Sequence, residues 1–261
     1  MKFRLFKNIS NLALSFLALL LCVSGCRIPE PTEKITIAVA SNMQYAMDEI
    51  AEAYSLETGI PCEIIVGASG QLTAQIREGA PFDVLVSADM KFPKEIERLG
   101  LSASSPKVYA YGKIVLWTLF DDIEPSMEGL KDERIEHIAI ANPRLAPYGL
   151  AAKQALHFHG VHDEVEGKLV FGESITQTNQ FILSRSAQVG ITAKSIVTSP
   201  QMRDKGKYKD IDPRTYDPIE QGVVIIKNND TDYSREILFC KFLSSETAKK
   251  ILRRFGYSVD E

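Results

Sequence analysis

Four short stretches pair a hydroxyl or amide residue with the point where an apolar run gives way to a helical pattern. They are Ser41-Asn42, Ser69-Gly70, Tyr148-Gly149 and Ser174-Ile175. The first backbone N–H groups of a helix lack intrahelical acceptors, and the helix dipole adds partial positive charge there, so such an end attracts anions. Ser41 reads as an N-cap, with Gln44 three residues on completing a capping-box pattern. Ser69 reads as a second cap, and Gly70 beside it lets another group approach the backbone. Pro143 and Pro147 stiffen the third turn, and Tyr148 and Gly149 open the helix behind it. Singly, each is an ordinary strand-to-helix connection; their number carries the argument.

The donors are mostly neutral. Residues 38–45, 66–72 and 171–178 contain no Lys or Arg, and only Arg144 comes near the third turn. Hydrogen bonds from neutral donors to a charged acceptor contribute about 1.5–3 kcal/mol each, which suits a fully ionised anion. A ligand that carries a proton also needs an acceptor, because a buried donor without one is costly, and Glu173 is the acceptor at hand.

The elements that position these turns alternate along the chain. Ile35, Ile37 and Val39 have strand periodicity, and Met43, Ala46, Met47, Ile50 and Tyr54 recur at helical spacing. The same change recurs from 63–66 to 71–78, from 84–86 to 92–99 and from 138–140 to 150–158. This is an α/β pattern with largely parallel sheets, in which ligands collect beyond the carboxyl ends of strands. Strands at 114–119 and 223–226 read as crossings between two lobes, with two of the turns before the first crossing and two after it.

Residues 1–25 have the form of a secretory signal, with Lys2, Arg4 and Lys7 before an apolar stretch that ends in small residues. The apolar stretch is shorter than the roughly 20 residues of a membrane span. Val23-Ser24-Gly25-Cys26 resembles the bacterial lipobox. That resemblance implies cleavage before Cys26 and lipidation of its sulfur, with residues 26–33 as a tether. Cleavage leaves 236 residues with 27 basic and 34 acidic side chains, and no basic cluster that would suggest nucleic acid. Cys62 and Cys240 remain, each in an apolar pattern; two separate thiols and one bridge are both open readings.

An enzyme on this chain would need a base or nucleophile in suitable company. No Gly-x-Ser-x-Gly elbow, P-loop or dinucleotide fingerprint is present. His157, His159 and His162 form a tempting metal pattern, but Gly160 reads as a helix end between them, and neighbours two apart do not share a helix face. Histidine at a helix C-terminus is favourable without metal. Asp83 and Asp89 flank a strand end and read as cap or domain contacts. Ferric iron calls for hard anionic or phenolate ligands, and the four turns offer one tyrosine and one Glu.

Across nearly the whole mature chain the sequence resembles the periplasmic molybdate-binding proteins of ABC importers. The motifs are Ile37-Ala38-Val39-Ala40-Ser41-Asn42, Gly67-Ala68-Ser69-Gly70-Gln71-Leu72, Gly79-Ala80-Pro81-Phe82-Asp83-Val84 with Ser87-Ala88-Asp89, Asn142-Pro143 through Pro147-Tyr148-Gly149, and the closing 251–257. The resemblance implies a two-lobe periplasmic-binding-protein fold, each lobe a mostly parallel sheet flanked by helices, with the ligand cleft between. Lobe I would comprise 34–116 and 213–261, lobe II 117–212, with hinges near 114–119 and 209–221. It implies an exported, monomeric receptor in the periplasm or cell envelope that hands molybdate or tungstate to a membrane permease, with no cofactor and no free metal cation. The oxyanion contacts fall on Ser41, Asn42, Ser69, Tyr148 and the backbone of Ile175. Some members take a tyrosine from the strand that here reads Gly190-Ile191-Thr192-Ala193, and this chain has none there. The alternatives are a receptor for sulfate or phosphate, and an enzyme or sensor on the same two lobes.

Overall fold

Alternation along the strands separates the two faces of each sheet. In the computed structural model, which describes residues 34–228 and 232–260, the first strand is β1 (Ile35–Ala40). Ile35, Ile37 and Val39 face one side with Val84 and Val86, whereas Ala38 and Leu85 face the other. The signal segment, the tether and Cys26 lie outside the described residues.

The first sheet has the order β2-β1-β3-β10-β4, with β2 Cys62–Gly67, β3 Val84–Ser87, β4 Lys107–Gly112 and β10 Ile219–Ile225. β1 pairs in parallel with β2 and β3, and β10 is antiparallel to both its neighbours. Helix α1 (Gln44–Thr58) covers one face together with the C-terminal α8 (Ser234–Phe242) and α9 (Glu246–Arg254). Helices α2 (Ser69–Arg77) and α3 (Lys91–Arg98) cover the other, where Leu72, Ile76 and Ile96 meet Ala38, Leu85 and Val224.

The second sheet repeats the plan in the order β7-β6-β8-β5-β9. Its strands are β5 Ile114–Thr118, β6 Ile138–Ala141, β7 Leu169–Gly172, β8 Val189–Ala193 and β9 Lys207–Asp210. The strands β7, β6 and β8 are parallel, and β5 is antiparallel to β8 and β9. Four helices belong to this half: α4 (Pro147–Phe158), α5 (His162–Val165), α6 (Ile175–Leu183) and α7 (Lys194–Val197). Ile114, Leu116, Ile138 and Ile140 line one face, and Val115, Trp117 and Ala139 line the other. The chain thus has the two-lobe α/β architecture expected of it.

The passages between sheets differ from the sequence reading. β5 lies wholly in the second sheet and β10 wholly in the first, so neither 114–119 nor 223–226 is itself a crossing. The chain changes sheet at Lys113 and again within 211–218. Both passages are fixed by bonds near their ends: the Lys194 N–H donates to the Lys113 carbonyl at 2.8 Å, and the Ile114 N–H reaches the Tyr216 hydroxyl at 3.4 Å. The continuous apolar run of 114–117 marks a strand covered on both faces, a pattern that an interlobe linker does not need. Cys62 and Cys240 are free, half-buried thiols; burial pushes them up to about 11 and about 12.

Candidate functional site

Parallel pairing brings the turns together two by two. Ala40 pairs with Gly67, so the turns after β1 and β2 leave one sheet side by side. Ala141 pairs with Gly172 in the same way in the other sheet, and the Asn142 N–H donates to the Gly172 carbonyl at 2.7 Å. Contacts between the lobes join these pairs. The Gly70 N–H donates to the Leu145 carbonyl at 2.9 Å, and Gln71 Nε2 donates to Glu173 Oε2 at 3.0 Å. Asn42 Nδ2 reaches the Tyr148 hydroxyl at 3.3 Å, and the turn holding Ser41 and Asn42 packs on α6. Each turn therefore touches the other three.

Ser41, Asn42, Ser69, Tyr148 and Ile175 all belong to this meeting point, and none is more than 3% exposed. Ser41 is not the N-cap of α1. It begins a separate 3-10 turn, Ser41–Met43, and its hydroxyl donates to the Gly67 carbonyl at 2.9 Å. The capping box with Gln44 fails because Gln44 is itself the first residue of α1. Ser69 is likewise the first helical residue rather than the cap. Its oxygen accepts from the Ala88 N–H at 3.0 Å, which holds the side chain while leaving the hydroxyl proton to donate elsewhere.

Asn42 and Tyr148 direct their side chains into an interlobe polar cluster. The Asn42 amide donates to Gln221 Oε1 at 2.7 Å and to the Tyr257 hydroxyl at 2.8 Å, besides its contact with Tyr148. The Asn42 carbonyl accepts from Ser195 Oγ at 2.6 Å and from the Tyr257 hydroxyl at 3.0 Å. Gln221 completes the cluster by donating to the carbonyls of Ala88 and Ile219. Burial holds the Tyr148 phenol well above its ordinary value and pushes Tyr257 up to about 12, so both stay protonated near neutrality. Each satisfied bond adds about 0.5–1.5 kcal/mol, and a removed partner costs more because it leaves a buried group unpaired.

What these residues can offer an anion is therefore largely backbone. Among the described residues, the N–H groups of Asn42, Ser69, Tyr148 and Ile175 have no protein acceptor. Those of Ser69, Tyr148 and Ile175 open α2, α4 and α6. The N-cap of α6 is Ser174, whose hydroxyl accepts from the Gln177 N–H at 3.3 Å.

The outlying candidates have other tasks. Thr192 donates to Asn179 at 2.6 Å inside the second lobe. Asp83 accepts from the Thr36 N–H at 2.7 Å, and Asp89 from the Phe92 N–H at the start of α3. Arg144 is exposed, and its backbone N–H donates to Asn142 Oδ1. Gln221, Tyr257 and Ser195 escaped the sequence reading. Tyr257 lay in a quoted closing motif, but no spacing rule joins it to Asn42 across the fold.

The chain is similar to known proteins along most of its length. Residues 35–258 match the model of a bacterial extracellular solute-binding protein family. The chain is 34% identical to the molybdate-binding protein ModA of Rhodobacter capsulatus, over 91% of this chain and 93% of that protein. It is 32% identical to the ModA protein of Azotobacter vinelandii, over 87% and 90% of the two. The solved Azotobacter vinelandii periplasmic molybdate-binding protein superposes with a TM-score of 0.82 at 29% identity, covering 87% of this chain and all of that one. With its own two five-stranded sheets and four converging turns, the chain belongs to the bacterial extracellular solute-binding protein family, whose members are transport receptors rather than enzymes.

Proposed function

We propose that this protein is an extracytoplasmic receptor that captures molybdate or tungstate between its lobes and delivers it to an ABC permease. The observation that carries the reading is the meeting of four turns whose free donors are neutral: backbone N–H groups at three helix starts and at Asn42, with the Ser69 hydroxyl beside them. Neutral dipoles in a dry site favour a fully ionised tetrahedral dianion over a protonated one, since a buried acid proton finds no acceptor among them. The curated relatives named for molybdate binding support the same ligand class. Lys113 and 211–218 would serve as hinges between lobe I and lobe II, and the anion would draw the lobes together across Gly70 and Leu145.

Calorimetric titration with molybdate, tungstate, sulfate and phosphate tests the ligand. Tight binding of the first two with weak or no binding of phosphate is the expected order; a preference for phosphate would replace this reading with another oxyanion receptor. The lipid on Cys26 is the membrane anchor in this proposal, and Cys26→Ser should move the protein to the soluble fraction while leaving anion affinity unchanged. Mass spectrometry that finds no lipid on the wild-type protein would remove the anchor from the account.

A further inference from the structure

Outside the cleft, the end of α4 gathers the side chains His157, His162 and Asp163. Gly160 follows the end of α4, as the sequence predicts. In the structure that same turn brings two of the histidines together. Gly160 takes φ +66°, a left-handed conformation that suits glycine, and its N–H donates to the His157 carbonyl at 2.9 Å. The chain reverses, and His162 returns over the last turn of α4 with its ring stacked on His157, centroids 3.9 Å apart and planes 19° apart. His162 Nδ1 lies 3.1 Å from Asp163 Oδ1. His159 is not part of this cluster and packs edge-on against Phe158.

We infer that His157, His162 and Asp163 form a binding site for a divalent transition cation of the zinc type. One ligating atom from each lies within 4.8 Å of the other two. Tetrahedral zinc with bonds of about 2.0–2.1 Å needs ligand atoms roughly 3.4 Å apart, so small side-chain rotations close the set. His157 and Asp163 are exposed and free to make them, whereas His162 is buried and supplies the fixed arm. Two imidazoles and one carboxylate suit zinc or nickel, with water completing the shell. The C-terminal end of α4 adds partial negative charge beneath the site. Lys153 and Arg144 line the neighbouring hollow with His162, and Glu166 in the same lining offsets part of their charge. A bound ion would staple α4 to α5 on the second lobe without involving the anion cleft.

The test is calorimetric titration of zinc chloride into the tag-free full chain in detergent, with cobalt(II) absorption as a spectroscopic check. One equivalent should bind, and His157→Gln and Asp163→Asn should each weaken binding by about tenfold or more. Both residues are exposed, so neither variant depends on refilling a core. His159→Gln should stay within about twofold, and molybdate affinity should be the same in all three variants. Failure to bind zinc at about 100 µM, or equal losses in His157→Gln and His159→Gln, would overturn the site.

Discussion

The Gly70 N–H donates to the Leu145 carbonyl at 2.9 Å, and with this bond the second turn of one lobe rests on the third turn of the other. There is little room for a side chain between them. A Cβ on residue 70 would lie 3.1 Å from the Leu145 oxygen, 3.2 Å from its Cα and 3.2 Å from the Phe92 ring.

Gly70→Ala should therefore hold the lobes apart by a few tenths of an ångström while leaving each lobe folded. We expect molybdate affinity to fall by about tenfold, roughly 1.4 kcal/mol, because in the proposed function closure is part of binding. The melting temperature without ligand should hold or rise slightly, since alanine suits the first turn of α2 better than glycine. An unchanged Kd with a lowered melting temperature would place the contact in folding rather than in closure.

The buried phenols predict an alkaline limit. Tyr257 titrates at about 12 in the fold, raised by burial, and Tyr148 also stands well above its ordinary value. In the unfolded chain both titrate near 10, so between these values the unfolded state binds fewer protons and stability falls as pH rises. Stability should be insensitive to these phenols below about pH 9 and then fall by up to about 1.4 kcal/mol per pH unit for each. Tyr257→Phe should lower stability at neutral pH, because Asn42 loses a partner, and should flatten the alkaline decline. Urea unfolding across this range checks both parts; an alkaline slope unchanged in Tyr257→Phe would contradict the assignment.

How much of this was legible in the sequence depended on range. The β1-to-α1 passage was visible because its apolar period changes between Val39 and Met43, and both residues are buried in one core. Side-chain direction was not visible. Ser41 has the residue type of a cap, yet a 3-10 turn separates it from α1 and turns its hydroxyl to Gly67. Tyr148 has the type of a ligand hydroxyl, yet its oxygen lies against Gly112 and Asn42. Such contacts depend on partners far along the chain: Gly67 lies 26 positions from Ser41, and Gln221 and Tyr257 lie 179 and 215 positions from Asn42. No local period encodes them.

Glu173 is the carboxylate at the cleft rim, and its exposed bond to Gln71 spans the lobes at 3.0 Å. Water competes for such a bond, so Glu173→Gln should change molybdate affinity by less than about fivefold, under about 1 kcal/mol. Phosphate binding should not appear or disappear with it, because the carboxylate is already engaged by Gln71. A phosphate affinity in the wild type that Glu173→Gln abolishes would make this residue the proton acceptor of a different anion site.

In the proposed site the hydroxyl groups of Ser69 and Tyr148 take different parts, the first as a ligand contact and the second as a contact of the frame. Ser69 accepts from Ala88 and keeps its proton for the cleft, whereas Tyr148 places its oxygen in the Asn42 cluster and presents its backbone N–H at the start of α4. Ser69→Ala should cost about 1.5–3 kcal/mol of anion affinity, roughly tenfold to more than a hundredfold. It also leaves the buried Ala88 N–H unpaired, so a separate loss of about 1–3 kcal/mol in ligand-free stability is expected and must be measured beside the Kd. Tyr148→Phe keeps the backbone donor and removes one neutral hydrogen bond, so its affinity loss should stay under about tenfold. Arg144→Ala should do less still, because the side chain is exposed and its charge is screened by water and salt. Calorimetry on the three variants gives the ranking. Were Arg144→Ala to abolish binding while Ser69→Ala was silent, the neutral-donor site would give way to one dominated by a cation.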